Sequence, residues 1–171
     1  TLTAPLARPD FTLTATDGKP FAFRQRTAGK LALLFFGYTN CPDVCPVHAA
    51  NIAAVYHKLP WEDQQKVVFV FVTTDPDRDS LPAIRKWLDH FDTSFVGLRG
   101  SLAEVNAIQQ TLNLPPAYAE EKAANGTYGV AHSAVVIAFE PDGSARTVYP
   151  FGIRQEDWAA DIPILLTRTA K

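Results

Sequence analysis

The run Lys30-Leu-Ala-Leu-Leu-Phe-Phe-Gly37 is apolar at every position between its lysine and its glycine. A strand with one wet face would alternate apolar and polar residues, so this run predicts a strand buried on both faces of a sheet. Val67-Val-Phe-Val-Phe-Val-Thr73 repeats the signature. Between the two, Ala49, Ile52, Ala53, Val55, Tyr56 and Leu59 recur at helical spacing until Pro60 ends the pattern, predicting a helix over 44–59. Two doubly buried strands joined through a helix make a right-handed parallel unit. The chain is thereby committed to an α/β architecture with helices layered on a sheet.

The rest of the chain fits around that unit. Ser80 as N-cap, Pro82 in the first turn and Ile84, Trp87, Leu88 and Phe91 on one face predict a helix over 80–90. Ser101 with Glu104 three residues on is a capping box, and Leu102, Val105, Ile108 and Leu112 give the stripe of a helix over 101–112. Upstream, two alternating segments flank Asp17-Gly18, so residues 11–23 read as a β-hairpin. Residues 113–128 have no periodicity and read as a long surface loop. It leads to a strand over Ser133–Glu140, a turn at Pro141-Asp-Gly143 and a strand over Ala145–Tyr149. A last helix over about 156–167 carries Trp158, Ile162, Leu165 and Leu166. The summed order is β-hairpin, β, α, β, α, β, α, loop, β-hairpin, α. This is the plan of a thioredoxin-like α/β fold with an N-terminal β-hairpin and a long loop before the late β-hairpin, read as one domain over residues 1–171.

Composition narrows the functional classes. The formal net charge is −2 with no block of Lys or Arg, so the footprint of a nucleic-acid binder is missing. No apolar run approaches the roughly 20 residues of a membrane-spanning helix. The chain opens at Thr1 and contains no Met, so a signal or anchor ahead of Thr1, removed by processing or truncation, is expected. Without a heptad or a large apolar stripe to demand assembly, the expected state is a monomer.

Chemistry concentrates in Phe36-Gly-Tyr-Thr-Asn-Cys41-Pro-Asp-Val-Cys45-Pro-Val-His48, where the buried strand ends and the helix begins. Cys41 and Cys45 are the only cysteines, and a disulfide between them closes too small a loop to serve as a staple. The unpaired amides and positive dipole end of a helix N-terminus favour thiolate, the form that binds metal or attacks a disulfide. Three intervening residues, where redox relatives of thioredoxin carry two, set the thiols about one helical turn apart on one face, a spacing that suits two ligands on one ion. The pair can also close into a disulfide, so metal binding and redox chemistry both stay open.

Two thiolates leave a metal short of ligands. Of the four histidines, His132 lies where the loop over 113–131 enters the late strand, which in a thioredoxin-like sheet lies beside the cysteine helix. A strand-end histidine satisfied by backbone hydrogen bonds is the competing reading. Two thiolates and an imidazole form a soft set suited to Cu(I), with Cu(II) also accepted. His48 shares the helical face of Cys41 and Cys45 and reads as a solvated residue or a rival ligand, while His57 and His90 read as surface residues. Asp75 and Asp79, with Arg78 as an ion-pair partner, read either as caps of the helix starting near Ser80 or as members of the site.

The segment Phe36–Pro46 resembles the signature of the Sco/SenC proteins, copper chaperones and thiol-disulfide proteins of cytochrome c oxidase assembly. Three further blocks agree in order and spacing: Thr74-Asp75-Pro-Asp-Arg78-Asp79, His132, and Pro141-Asp-Gly143. The resemblance runs from about residue 9 to 167. It implies one copper, Cu(I) or Cu(II), per chain on Cys41, Cys45 and His132, with Asp75 near the site. It also implies a metallochaperone rather than an enzyme, taking copper from a donor protein and delivering it to the copper-bearing subunit of the oxidase. The alternative is a thiol-disulfide oxidoreductase with Cys41 and Cys45 as the redox pair. The implied location is extracytoplasmic, periplasmic or on the outer side of the inner membrane, with an N-terminal anchor. Asn40 stands where relatives commonly have His, and no proline precedes the His132 strand, where redox thioredoxins keep a cis-proline.

Overall fold

The structure, a computed structural model, describes residues 1–42 and 44–169. The chain runs β1 (Leu6–Ala7), β2 (Thr12–Ala15), β3 (Pro20–Ala22), α1 (Phe23–Arg26), β4 (Leu31–Gly37), α2 (Val44–Lys58), α3 (Trp61–Gln64) and β5 (Val67–Thr73). It continues through α4 (Leu81–Asp89), β6 (Val96–Arg99), α5 (Leu102–Thr111), β7 (Tyr118–Ala119), β8 (Val130–Ala131), β9 (Val136–Phe139), β10 (Ser144–Tyr149) and α6 (Gln155–Leu166). Eight strands form one sheet in the order β1-β10-β9-β4-β5-β6-β2-β3. The centre is parallel, with Leu31 to Gly37 of β4 in step with Val67 to Thr73 of β5, and β9 lies antiparallel on the other side of β4.

The unbroken apolar run of β4 has the cause its sequence implies, since all seven residues are buried. Leu31, Leu33 and Phe35 pack with Ile52 of α2, Ile84 and Leu88 of α4 and Trp158 and Ile162 of α6. Ala32, Leu34 and Phe36 pack on the opposite face with Val105 and Ile108 of α5, Phe23 of α1 and Leu13 and Phe21 of the hairpin. One strand thus feeds two cores, which explains why it cannot alternate.

Both helix caps take the form the sequence predicts. Ser80 Oγ accepts from Ala83 N at 3.2 Å, and Ser101 and Glu104 close a reciprocal capping box. The third parallel strand required by the element order is β6. Two predictions need correction. The late strand begins at Val136 rather than Ser133, because residues 132–135 leave the sheet to reach the site. The supposed structureless loop contains a two-stranded ribbon, with Tyr118 opposite Ala131 and Ala119 opposite Val130. Strand β1, missed in the sequence, adds an edge beside β10. Among the described residues no helix is long and apolar enough to cross a membrane.

Candidate metal centre

The C-terminal ends of β4 and β5 form one edge of the molecule, the side on which open α/β sheets present their sites. Gly37 closes β4, and a Cβ built there would stand 2.7 Å from Phe35 Cε1 and 2.8 Å from Cys45 Sγ. Both separations are below contact distance, so the missing side chain is what lets Cys45 sit against the strand end. Gly37→Ala should therefore displace Cys45 and cost about 1–3 kcal/mol, read as a lower urea midpoint together with weaker metal binding; a variant unchanged in both would remove Gly37 from this role.

Cys41 lies just ahead of α2 and is 9% exposed, whereas Cys45 in the first turn is fully buried. No disulfide joins them. Cys45 N donates toward Cys41 Sγ at 3.5 Å, so the helix start does offer an amide to the outer sulfur. For Cys45 the expectation of a lowered pKa is overturned. Burial pushes its thiol far above the ordinary range, and the neighbouring Cys41 pushes in the same direction. Desolvation outweighs the helix end at the inner sulfur.

His132 reaches the cysteines from the other side. Its Nδ1 lies 3.0 Å from the Ser133 carbonyl oxygen, which can only accept, so Nδ1 carries the proton and Nε2 keeps its lone pair. That nitrogen stands 3.8 Å from Cys45 Sγ. Tyr38 and Phe35 meet the imidazole edge-on at 5.5 and 6.1 Å between ring centroids. Ligand atoms of Cys41, Cys45 and His132 all lie within 4.8 Å of one another. An ion about 2.0–2.3 Å from each donor in a planar three-coordinate site spaces the donors about 3.7 Å apart, so only small movements separate this arrangement from a closed site. Two thiols, one imidazole and a backbone carbonyl fixing the imidazole tautomer suit a soft cation.

The other candidates are placed differently. His48 is 1% exposed, not solvated; its Nε2 donates to the Ala134 carbonyl at 3.0 Å, and its ring packs on Phe35 and Phe151. Burial holds its pKa below the usual histidine range. It supports the segment after His132 and is outside the group of three. Exposed His57 pairs with Asp92 at 2.6 Å, and His90 is exposed. Asp75 is buried and bonded to Arg78 Nε at 2.5 Å; desolvation raises its pKa, and the Arg78 hydrogen bond and charge oppose the rise. Asp79 is no helix cap. Its fully buried carboxylate accepts from Thr39 N at 3.0 Å, Thr39 Oγ1 at 2.5 Å and Thr73 Oγ1 at 2.7 Å. Sequence reading missed that role, for which the Asp-Pro-Asp-Arg-Asp run after a buried strand was the signal.

Fold and site together define a class: a thioredoxin-like protein with two thiols and an imidazole converging at the start of its first long helix. Within it, the chain belongs to the SCO1/SenC family, whose model matches residues 2–167. A protein of Stutzerimonas stutzeri described as copper-binding is 32% identical over 140 residues, 82% of this chain and 67% of that protein. The mitochondrial SCO1 homolog 1 of Arabidopsis thaliana is 31% identical over 132 residues, 77% of this chain but only 39% of that protein. The structure of Bradyrhizobium japonicum ScoI with copper bound superposes with a TM-score of 0.79 at 31% identity, covering 94% of this chain and 99% of that one.

Proposed function

We propose that the chain is a copper-binding protein that holds one copper ion on Cys41, Cys45 and His132 and passes it by ligand exchange to an acceptor with an equally soft site. The observation that carries this reading is the convergence of these three donors in a member of a family with copper-loaded structures. The copper is cargo. Cys41, at the rim, is the ligand an incoming thiolate can replace, while buried Cys45 keeps hold of the ion and His132 is held ready by its bond to Ser133. By family membership we assign the acceptor to the copper-bearing subunit of cytochrome c oxidase, the donor to another copper protein and the location to the extracytoplasmic side of a membrane. We further assign an anchor to the full-length form.

An anaerobic Cu(I) titration of the reduced protein against a competing chelator tests this reading. The native chain should bind one equivalent. Structural metal sites hold their ion by about 10–16 kcal/mol over four ligands, or about 3 kcal/mol each, so His132→Ala should weaken binding about a hundredfold. Affinity indifferent to His132 would overturn the assignment.

The contrast between a rim thiol and a buried partner beside it also favours a second reading, a thiol-disulfide exchange in which Cys41 attacks a partner disulfide and Cys45 resolves the mixed disulfide. Cys45→Ser should then trap a partner; no trapped species would count against it.

A further inference from the structure

The three proposed ligands come from two segments with no covalent link near the site: the turn before α2 together with its first turn, which carry Cys41 and Cys45, and the strand exit after β8, which carries His132. Both are gripped by one short loop, residues 75–79, between β5 and α4. Asp79 takes the amide and the hydroxyl of Thr39, two residues before Cys41, and ties them to Thr73 at the end of β5. On the other side, the Arg78 guanidinium lies 3.7 Å from the ring centroid of Tyr128 and 5.9 Å from that of Tyr38. Tyr128 precedes the β8 strand that delivers His132, and Tyr38 packs edge-on against the His132 ring. The loop is itself fixed from behind. Arg99 of β6 donates to the Asp79 carbonyl at 3.0 Å and the Pro76 carbonyl at 2.8 Å, and Asp75 holds Arg78.

We propose that Asp79 and Arg78 are positioning residues that set the spacing of Cys41 and His132 about Cys45, Asp79 through Thr39 and Arg78 through the Tyr38–Tyr128 pair. The inference rests on the copper reading above for its metal effect but concerns the thiols with or without metal. Neither residue touches the ion. A buried carboxylate with three donors is a rigid grip, because its charge-assisted bonds have no competing water. A planar guanidinium stacked on one tyrosine and bonded to an aspartate is likewise pre-organised in a way that lysine cannot reproduce.

Thr39→Val keeps the side-chain shape and deletes the hydroxyl, Thr39→Ser restores it, and Asp79→Asn and Arg78→Gln remove each grip in the full chain. Two quantities are read: Cu(I) affinity by chelator competition, and the rate at which iodoacetamide alkylates Cys41 in the reduced, metal-free protein. Thr39→Val, Asp79→Asn and Arg78→Gln should weaken copper about tenfold, as loss of groups orienting a ligand does. Thr39→Val and Asp79→Asn should also speed alkylation several-fold by freeing the turn, with Thr39→Ser native in both. If Asp79→Asn fails to fold, Thr39→Val against Thr39→Ser decides the Asp79 grip. Native affinity and native alkylation in the variants, or a Thr39→Val effect that serine does not restore, would overturn the proposal. If the native chain bound no copper, the copper reading would fail by itself and the alkylation rates would still decide whether the loop positions Cys41.

Discussion

Arg8→Met is expected to lower the unfolding free energy by about 2–4 kcal/mol, or roughly 4–16 °C in Tm, without changing copper affinity. Arg8 is 4% exposed, and among the described residues no carboxylate hydrogen-bonds its guanidinium. Its donors go to the Thr27 carbonyl and, at 3.0 Å, the Thr27 hydroxyl, and to the carbonyls of Lys30 at 2.7 Å, Phe139 at 3.3 Å and Glu140 at 2.7 Å. Those acceptors lie just before β4 and at the end of β9, so one side chain ties the N-terminal arm to the central strands. Two effects compete on substitution. Removing a buried cation relieves a desolvation cost, visible as a guanidinium pKa held below its ordinary value despite the opposing charge of Asp142. The same change removes five hydrogen bonds, each with a net worth of about 0.5–1.5 kcal/mol, and that loss wins even though the Thr27 and Glu140 carbonyls keep backbone donors in Lys30 N at 3.1 Å and Gly143 N at 2.9 Å. Copper affinity is the internal control, because Arg8 sits at the opposite end of β4 from Gly37. Urea unfolding with an unshifted midpoint would show the arm to be dispensable; a loss of copper affinity at native stability would show that the two ends of the sheet are coupled.

Arg8 also marks a boundary of what the sequence discloses. An arginine in an N-terminal stretch reads as solvated surface, since nothing local tells that four carbonyls more than a dozen residues away will converge on it. His48 fails to disclose itself for the same reason: its burial depends on Phe35, Ala134 and Phe151 rather than on its own helix. Features set by neighbours along the chain were legible. The doubly buried β4 and β5, the Ser80 cap and the Ser101–Glu104 box are each written in a few adjacent residues. Strands of two residues, such as β1, β7 and β8, carry no period to detect. Cys41 and Cys45 could be singled out by position alone. His132 needed the fold, and the Asp79 grip needed the atomic hydrogen bonds.

Cys45→Ser should cost more copper affinity than any other single change considered, about a thousandfold. A serine hydroxyl is smaller and harder than a thiolate and stays protonated at neutral pH, so with the proposed ligand set the ion would lose its innermost soft donor and keep only the Cys41 thiolate and the His132 imidazole. The same variant tests why the inner thiol is costly to ionise. Burial first, and Cys41 second, raise the Cys45 pKa in the folded apo-protein. A group whose folded pKa is raised stabilises the fold below its unfolded pKa, about 8.5 for a thiol, and that contribution is lost as pH rises above it. Reduced, metal-free protein should therefore lose up to about 1.4 kcal/mol of stability per pH unit in this alkaline range from Cys45 alone, and Cys45→Ser should flatten the slope by that amount. Urea midpoints of both proteins between pH 8 and 10 measure it directly. A cation bound at the sulfur reverses the balance, because it favours the thiolate that burial disfavours. Copper should accordingly stabilise the native chain and release protons on binding, with the release smaller in Cys45→Ser; equal release from the two proteins would mean that Cys45 gives up no proton to the metal.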